Sequence, residues 1–296
     1  MNTLKNNEQI EIKQKGWTKE EKEQLIEMYP YKTTKELCNI LNKSEGQIRG
    51  MKERLGLNQK LKIFTTEEKE MIIDFYKNNP NEIDLDNLPR RKTYDWFNSF
   101  NNPTYGLTVK LDVTSLVEHT KKHNESFFIN MLYIVVKALN SVDNLRMRFE
   151  NNKPVLYDEI NPAITVMTKN EIFENVRLIN KDNYKEFYEM AKERIDKAKY
   201  QDKLNNESYN STASYNEYYI TCLPWTDFIS MTHPIPEDKS SQTVPRVCWG
   251  KYIENNGKYE ISLNITVSHV FVDGYHLSKV FNNVQELLND TTNVLK

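Results

Sequence analysis

The sequence has few cysteines, no long apolar run and almost no net charge. Its three cysteines, Cys38, Cys222 and Cys248, are scattered without CxxC spacing, which argues against a disulfide framework or a zinc site, and we expect no metal. No run of about 18 apolar residues exists, and residues 1–9 lack the hydrophobic core of a signal peptide, so a cytoplasmic protein is expected. A net charge of −2 gives no overall attraction to nucleic acid or a membrane.

The N-terminal part of the chain contains an internal repeat. Residues 17–29 and 64–76 each open with an aromatic residue, a threonine and acidic residues, a pattern typical of a capped helix start. The second copy is incomplete because Pro80 interrupts it. With 296 residues the chain is long enough for two domains, and we assign residues 1–15 to a polar tail and 61–83 to a partial repeat or linker.

Residues 16–60 form a module of three predicted helices. The second covers residues 33–41, and the third begins after Ser44 and carries the polar side chains of Gln47, Arg49, Lys52 and Arg54. This arrangement resembles helix-turn-helix modules of the Myb/SANT-like type, which implies that the third helix reads DNA. Residues 43–62 hold six basic and two acidic residues, a balance of 6 − 2 = +4. A solvated helical face would look similar, so DNA contact and a plain surface both stay open.

The most informative segment contains one histidine at the end of a predicted strand. Residues 259–268 alternate apolar and polar side chains, and His269 continues the apolar face. Asp273 and Gly274 suit a tight turn into a helix, and residues 277–288 carry an amphipathic helical stripe. A partly shielded imidazole can take a proton from a bound hydroxyl or thiol. A packing histidine is the alternative.

Five further segments accompany this histidine, namely residues 88–97, 107–114, 143–148, 223–225 and 245–252. Their order and spacing resemble the chloramphenicol acetyltransferase family over residues 84–296. The resemblance implies an α/β fold, a two-layer α/β sandwich with a large mixed sheet, beside the small all-α N-terminal domain. It also implies a homotrimer with active sites between subunits. Residues 107–114 are expected as the first long strand, 126–142 as an apolar helix and 184–204 as a charged helix.

The same resemblance assigns the chemistry. His269 matches a general base that removes the proton of an acceptor hydroxyl, which attacks acetyl-CoA directly. Thr221 stands where the family has a serine whose hydroxyl stabilises the oxyanion, and Asp273 and Arg90 match a buried ion pair. The expected function is acetyl-CoA-dependent O-acetylation of chloramphenicol, without a metal.

The resemblance also assigns a pocket lining. Five positions match walls of the acceptor and pantetheine pockets: Phe97, Tyr105, Phe173, Trp225 and Met231. Lys251 and Tyr252 match positions near the nucleotide end of CoA, where a lysine can meet a phosphate. A packed core would use the same aromatic residues, and a solvated strand end the same lysine, so those interpretations stay open.

Four positions depart from the family pattern. Ser268 replaces the first of two adjacent histidines, and Tyr219 replaces a small polar residue. Arg246 replaces an apolar pocket residue, and Cys248 replaces a threonine. An unpaired buried guanidinium is costly, so such a pocket would bind chloramphenicol poorly and favour another hydroxyl-bearing acceptor.

Two alternative functions remain. Lipoyl-dependent acyltransferases share the His-x-x-x-Asp-Gly pattern, but they carry arginine where Val270 follows His269. The chain could instead be a DNA-binding regulator that uses the acyltransferase-like body as a trimeric or ligand-binding module. The intact set of His269, Thr221, Asp273 and Arg90 argues against an inactive body.

Overall fold

The structure is a computed structural model that describes residues 17–29, 32–55, 57, 80–200 and 215–296. By contacts, the chain divides into two compact units, Met1–Glu70 and Met71–Lys296. The expected polar tail, residues 1–15, and residues 61–79 of the expected partial repeat lie outside the described residues.

The described part of the N-terminal unit contains the helices α1 (Lys19–Met28), α2 (Thr34–Leu41) and α3 (Glu45–Arg54). Each begins at a capping box, in which the side chain before the helix and the third helical residue exchange hydrogen bonds. Asn42 adopts the left-handed conformation between α2 and α3, at φ 49°. The helices share a small apolar core made of Leu25, Leu37, Leu41, Ile48 and Met51.

The C-terminal unit alternates helices and strands. Its helices are α4 (Arg91–Asn98), α5 (Thr114–His123), α6 (Phe127–Asn140), α7 (Asp143–Arg146), α8 (Tyr184–Tyr200), α9 (Lys239–Gln242), α10 (Gly274–Asn289) and α11 (Thr291–Val294). Its strands are β1 (Asn81–Glu82), β2 (Thr104–Asp112), β3 (Met147–Glu150), β4 (Lys153–Leu156), β5 (Asn161–Met167), β6 (Phe173–Arg177), β7 (Glu217–Cys222), β8 (Arg246–Trp249), β9 (Ile253–Asn255) and β10 (Lys258–Ser268).

The main sheet has seven strands and is mixed. Its order is β2-β10-β8-β7-β5-β6, and β9 pairs with β10. The pairs β5–β7 and β7–β8 are parallel, while the pairs of β10 with β2 and β8 and of β5 with β6 are antiparallel. A second sheet has the order β1-β4-β3. The α/β fold with a mixed sheet that the sequence predicted is confirmed.

The longest strand, β10, is buried on both faces. Its apolar face belongs to the same core as the buried residues of α6 and α10 and contributes Ile261, Leu263, Ile265 and Val267. Its other face is polar and equally buried, through Ser262, Asn264, Thr266 and Ser268. Buried polar side chains need hydrogen-bond partners. Ser262, Asn264 and Thr266 have them, whereas the buried hydroxyl of Ser268 has none among the described residues.

The boundaries of two predicted elements, a strand and a helix, differ from those in the structure. The first long strand, predicted over residues 107–114, is β2 and covers Thr104–Asp112. It starts earlier because Thr104 still pairs with Ser268, and it ends earlier because the carboxylate of Asp112 accepts a hydrogen bond from the backbone of Thr114, where α5 begins. The apolar helix predicted over residues 126–142 is α6, with Ser126 as its N-cap.

Candidate active site

His269 directly follows β10, and two aromatic rings hold its side chain. The imidazole stacks on Phe97 with centroids 3.7 Å apart and an interplanar angle of 13°. Tyr105 approaches it at 4.6 Å and 35°. The backbone N–H of His269 donates to Pro103 O at 2.8 Å, and the hydroxyl of Tyr105 donates to Val272 O. The ring therefore has a fixed orientation while its side chain stays 29% exposed.

The two nitrogens of the His269 ring differ in their surroundings. Nδ1 is buried and lies 3.3 Å from Oδ1 of Asp273, although its direction does not make a hydrogen bond and none of the described residues supplies another partner. Nε2 is not among the buried unpaired atoms of the described residues. The contact with Asp273 is electrostatic, and Nε2 is the nitrogen open to a substrate.

Arg90 and Asp273 form the ion pair that the resemblance implied. Nε of Arg90 donates to Oδ2 of Asp273 at 3.0 Å, and Nη2 donates to Oδ1 at 2.5 Å. The guanidinium also donates to the backbone carbonyls of His269, at 3.0 Å, and of Val270. Burial would raise the pKa of Asp273, but the hydrogen bonds and charge of Arg90 bring it below its ordinary value. Asp273 is therefore a carboxylate at neutral pH.

Asp273 is also the N-cap of α10, and the first turn of that helix holds it. The backbone N–H of Asp273 donates to Nδ1 of His276 at 3.1 Å. Sequence reasoning missed His276. Its position, three residues after an N-cap aspartate, is where a capping box places a side-chain acceptor, and that spacing was the available signal.

A row of polar residues crosses the buried polar face of the main sheet. Strand pairing aligns Thr221 with Cys248, Cys248 with Asn264, and Asn264 with Thr108. Oγ1 of Thr221 lies 2.7 Å from Oγ1 of Thr165. Nδ2 of Asn264 donates to Oγ1 of Thr108 at 3.0 Å. Burial raises the pKa of the Cys248 thiol to about 12, so the thiol is neutral.

The family model described as chloramphenicol acetyltransferase matches residues 78–285. The chain belongs to the chloramphenicol acetyltransferase family.

Individual relatives agree with this family assignment. The chain is 27% identical over 212 residues to the chloramphenicol acetyltransferase of Clostridium perfringens, covering 71% of this chain and 95% of the relative. It is 29% identical over 210 residues to that of Campylobacter coli, covering 70% and 98%. A solved chloramphenicol acetyltransferase structure is similar with a TM-score of 0.65 and 25% identity, covering 71% of this chain and 100% of the other. Membership of this family makes the chain an acyltransferase.

The guanidinium of Arg246 has hydrogen-bond partners that the sequence analysis did not expect. Its Nη1 donates to the carbonyls of Ser241 at 3.1 Å and Val244 at 2.9 Å, and its Nη2 donates to Oγ of Ser241 at 3.2 Å. The guanidinium also lies 5.6 Å from the ring centre of Tyr219. The expected unpaired guanidinium is therefore wrong, because backbone carbonyls at the end of α9 compensate its burial.

The other expected pocket residues lie apart from the ring of His269. Phe173 begins β6 at the far edge of the sheet and is 48% exposed, and Trp225 follows β7 and is 64% exposed. The carbonyl of Met231 accepts a 3.4 Å hydrogen bond from Asn264, on the polar face. Among the aromatic residues expected in the pocket, Phe97 and Tyr105 contact that ring.

Lys251 and Tyr252 follow β8. The side chain of Lys251 is exposed, and no ion pair holds it within the described part of the chain. Tyr252 contacts Phe127 at 4.8 Å and Tyr259 at 5.6 Å, in an aromatic cluster next to Lys121.

The catalytic candidates His269 and Thr221 are widely separated within one chain. Asn264 aligns with Thr221 two strands away, and His269 follows Asn264 by five residues. With about 4.8 Å between strands and about 3.3 Å per residue, the two side chains are on the order of 20 Å apart. They cannot act on the same bond within one chain.

The expected DNA-reading residues lie on α3, and most of them have partners. Arg49 pairs with Glu45 at 2.6 Å, and Nζ of Lys52 lies 4.2 Å from the ring centre of Tyr29. The side chain of Gln47 accepts from the backbone of Ser44 at 2.8 Å as part of the capping box. Arg54 is exposed. Lys43, counted in the basic balance, is buried and pairs with Glu21 at 2.8 Å.

Within the described ranges, the chain has neither a metal-binding cluster nor a membrane-spanning helix. No group of three or more His, Cys, Asp or Glu side chains there could hold a metal ion. No helix there is long and apolar enough to cross a membrane.

Proposed function

We propose that this chain is an acetyl-CoA-dependent O-acetyltransferase whose acceptor is chloramphenicol or another hydroxyl-bearing small molecule. The proposal rests chiefly on His269, whose ring lies between Phe97 and Tyr105 and beside the ion pair of Arg90 and Asp273. The names of the curated relatives support chloramphenicol as the first acceptor to test. The use of acetyl-CoA supports the expected cytoplasmic location.

The reaction is a direct transfer within a ternary complex. Nε2 of neutral His269 accepts the proton of the acceptor hydroxyl while the oxygen attacks the thioester carbonyl carbon. The carbon–sulfur bond then breaks, the acetyl group stays on the acceptor oxygen as an ester, and the CoA sulfur takes the proton from His269. Holding both substrates together supplies a large part of the acceleration.

Asp273 and Arg90 support the base from its buried side. The Asp273 carboxylate, 3.3 Å from Nδ1, favours the imidazolium that forms as His269 takes the proton. Arg90 fixes the backbone through the carbonyls of His269 and Val270 and keeps Asp273 ionised. Neither residue touches the acceptor in this mechanism.

Thr221 donates its hydroxyl to the oxyanion of the tetrahedral intermediate, from a second copy of the chain. The separation of about 20 Å within one chain supports sites built between subunits. The exposed rings of Phe173 and Trp225 support an assembly that covers them. We therefore propose a homotrimer in which one subunit supplies His269 and its neighbour supplies Thr221.

Lys251 and Tyr252 bind the nucleotide end of CoA in this proposal. The ammonium of Lys251 meets a phosphate as a point charge, and the aromatic cluster around Tyr252 offers a face to the adenine. The acceptor side is more polar than an apolar drug pocket would be. Asn264, hydrogen-bonded to His233 at 3.1 Å, supports an acceptor with further hydroxyl groups as the alternative to chloramphenicol.

Release of free CoA thiol from acetyl-CoA, with chloramphenicol as acceptor, tests the function. The wild-type chain should release thiol rapidly, and His269→Ala should lose about 10²- to 10⁴-fold of that rate. His123→Ala, at an exposed histidine that ends α5, is the matched control and should keep the rate. Equal rates for wild type and His269→Ala would contradict the base role.

A chain that acetylates neither chloramphenicol nor a panel of hydroxyl and amine acceptors would contradict the proposed activity. Acetylation of another acceptor alone would keep the mechanism and replace the drug.

A second candidate function is DNA binding by the N-terminal unit. Three capped helices with a left-handed Asn42 turn before an exposed α3 favour it. The full chain should shift DNA in a gel at about 50 mM salt and lose affinity steeply toward about 200 mM. Arg54→Glu should weaken the shift, whereas Lys19→Glu, on the exposed start of α1, should not. No shift at low salt would contradict DNA binding.

A further inference from the structure

His276 lies in the first turn of α10, and its ring supports the backbone of Asp273. The bond runs from the Asp273 N–H to Nδ1 of His276, 3.1 Å away, so Nδ1 carries no hydrogen and the hydrogen of the neutral ring is on Nε2. Capping boxes usually place glutamate or glutamine at this position. A glutamate here would add a second negative charge beside Asp273, whereas a neutral imidazole accepts the bond without one.

The surroundings of His276 favour its neutral form. Its side chain is 23% exposed. Burial, the largest influence, lowers the pKa of His276, the nearby Asp273 raises it, and the positive charges of Arg90 and Lys279 lower it. Among the described residues, Asp273, Arg90 and Lys279 are the charged groups that influence the ring, and His269 influences the same carboxylate.

We propose that His276 is a positioning residue of the acyl transfer: as a neutral imidazole it holds Asp273 so that the carboxylate meets Arg90 and lies beside Nδ1 of His269. The inference rests on the proposed function, in which His269 is the base. His276 does not touch either substrate and acts through Asp273.

Protonation of His276 reverses this arrangement. A hydrogen on Nδ1 would face the N–H of Asp273, so two donors would meet and the cap would open. The imidazolium would also attract Oδ2 of Asp273, now 3.9 Å from Nδ1, in competition with Arg90. Asp273 would then move away from Nδ1 of His269. Activity therefore depends on two neutral histidines, the base His269 and the positioning residue His276.

The first test is the pH profile of kcat for wild type, His276→Gln and His276→Leu between about pH 5 and pH 8. On the acid side of the wild-type profile, the slope of log kcat against pH should exceed one, since two histidines must lose protons. His276→Leu should lower kcat at pH 8 by about tenfold to a hundredfold with little change in the KM for acetyl-CoA. His276→Gln, which keeps an acceptor, should restore most of that loss and show a slope of one.

His123→Gln, the same chemical change at an exposed histidine, is the control and should keep the wild-type profile. A wild-type slope of one, or a steep limb that persists in His276→Gln, would overturn the inference. Wild-type kcat in His276→Leu would also overturn it.

A second measurement does not depend on activity. Because the pKa of His276 in the folded chain lies below its ordinary value of about 6.5, the stability it adds is present above that pH and is lost as the pH falls toward the folded-state pKa. The Tm of wild type relative to His276→Gln should therefore fall between about pH 7.5 and pH 5. A Tm difference that stays constant with pH would overturn the inference. If the Tm difference falls with pH but the chain shows no transferase activity, the capping role of His276 would stand and the proposed function would be wrong.

Discussion

The hydroxyls of Thr165 and Thr221 lie 2.7 Å apart, so one donates a hydrogen bond and the other accepts it. A hydroxyl has one hydrogen to give. Thr221 can donate to an oxyanion only while it accepts the bond from Thr165. Thr165 therefore sets the direction of the Thr221 hydrogen in the proposed mechanism.

Thr165→Val should lower kcat by about threefold to tenfold, which corresponds to one hydrogen bond of about 1 kcal/mol, and should change KM little. Thr165→Ser keeps the donor and should restore the rate. Steady-state kinetics of CoA release measure both. In a Thr221→Val background, Thr165→Val should have no further effect on kcat. An equal effect in both backgrounds would contradict the orienting role.

Residues of the site differ in how far the sequence could reveal them. His269, Asp273 and Arg90 stand in short segments whose order resembles a known family, and they meet in the structure. Thr165 contacts Thr221 across neighbouring strands, and no local pattern records which strands are neighbours. The partners of Arg246 are mainly backbone carbonyls, which every residue carries, so its compensation could not be foreseen.

At the scale of elements, helix starts were predictable because their signals are local. The capping boxes at Thr18 and Thr33 need residues three positions apart, and the sequence contains both. The limits of β2 were less predictable, because pairing with β10 extends the strand back to Thr104. Strand ends depend on the partner strand, and the partner is distant in sequence.

The pairing of β2 with β10 leaves no room for a side chain at Gly106. A Cβ there would lie 2.6 Å from Oγ1 of Thr266 and 3.3 Å from the carbonyl of Ile265. Gly106→Ala should therefore lower the free energy of unfolding by about 1–3 kcal/mol. Gly274→Ala, where nothing lies within 4 Å of the new atom, is the matched control.

Denaturant unfolding of both variants measures the difference. In a Thr266→Ala background the cost of Gly106→Ala should shrink, since the closest clash is removed. An undiminished cost in that background would assign the effect to the backbone of Ile265 instead.

At the scale of the whole molecule, the sequence predicted the α/β fold with a mixed sheet but not how its polar face is used. The alternation of apolar and polar residues in β10 suggests one buried and one solvent-exposed face, yet Ser262 and Asn264 are both buried. Thr221, at the end of the polar row, lies about 20 Å from His269 in one chain. A site that needs both residues therefore needs two copies.

This requirement can be tested by mixing two damaged subunits. His269→Ala lacks the base and Thr221→Val lacks the oxyanion donor, so each homotrimer should be nearly inactive. In the proposed trimer, every mixed assembly has one site of its three that combines an intact His269 from one subunit with an intact Thr221 from its neighbour. Coexpression with two different tags and two-step purification isolates the mixed trimers, whose CoA release should far exceed that of either parent.

Parents that are purified separately and mixed without reassembly control for contamination. If each copy holds its own complete site, the mixed trimers should release CoA at no more than the average rate of the two parents, and the shared site would be wrong.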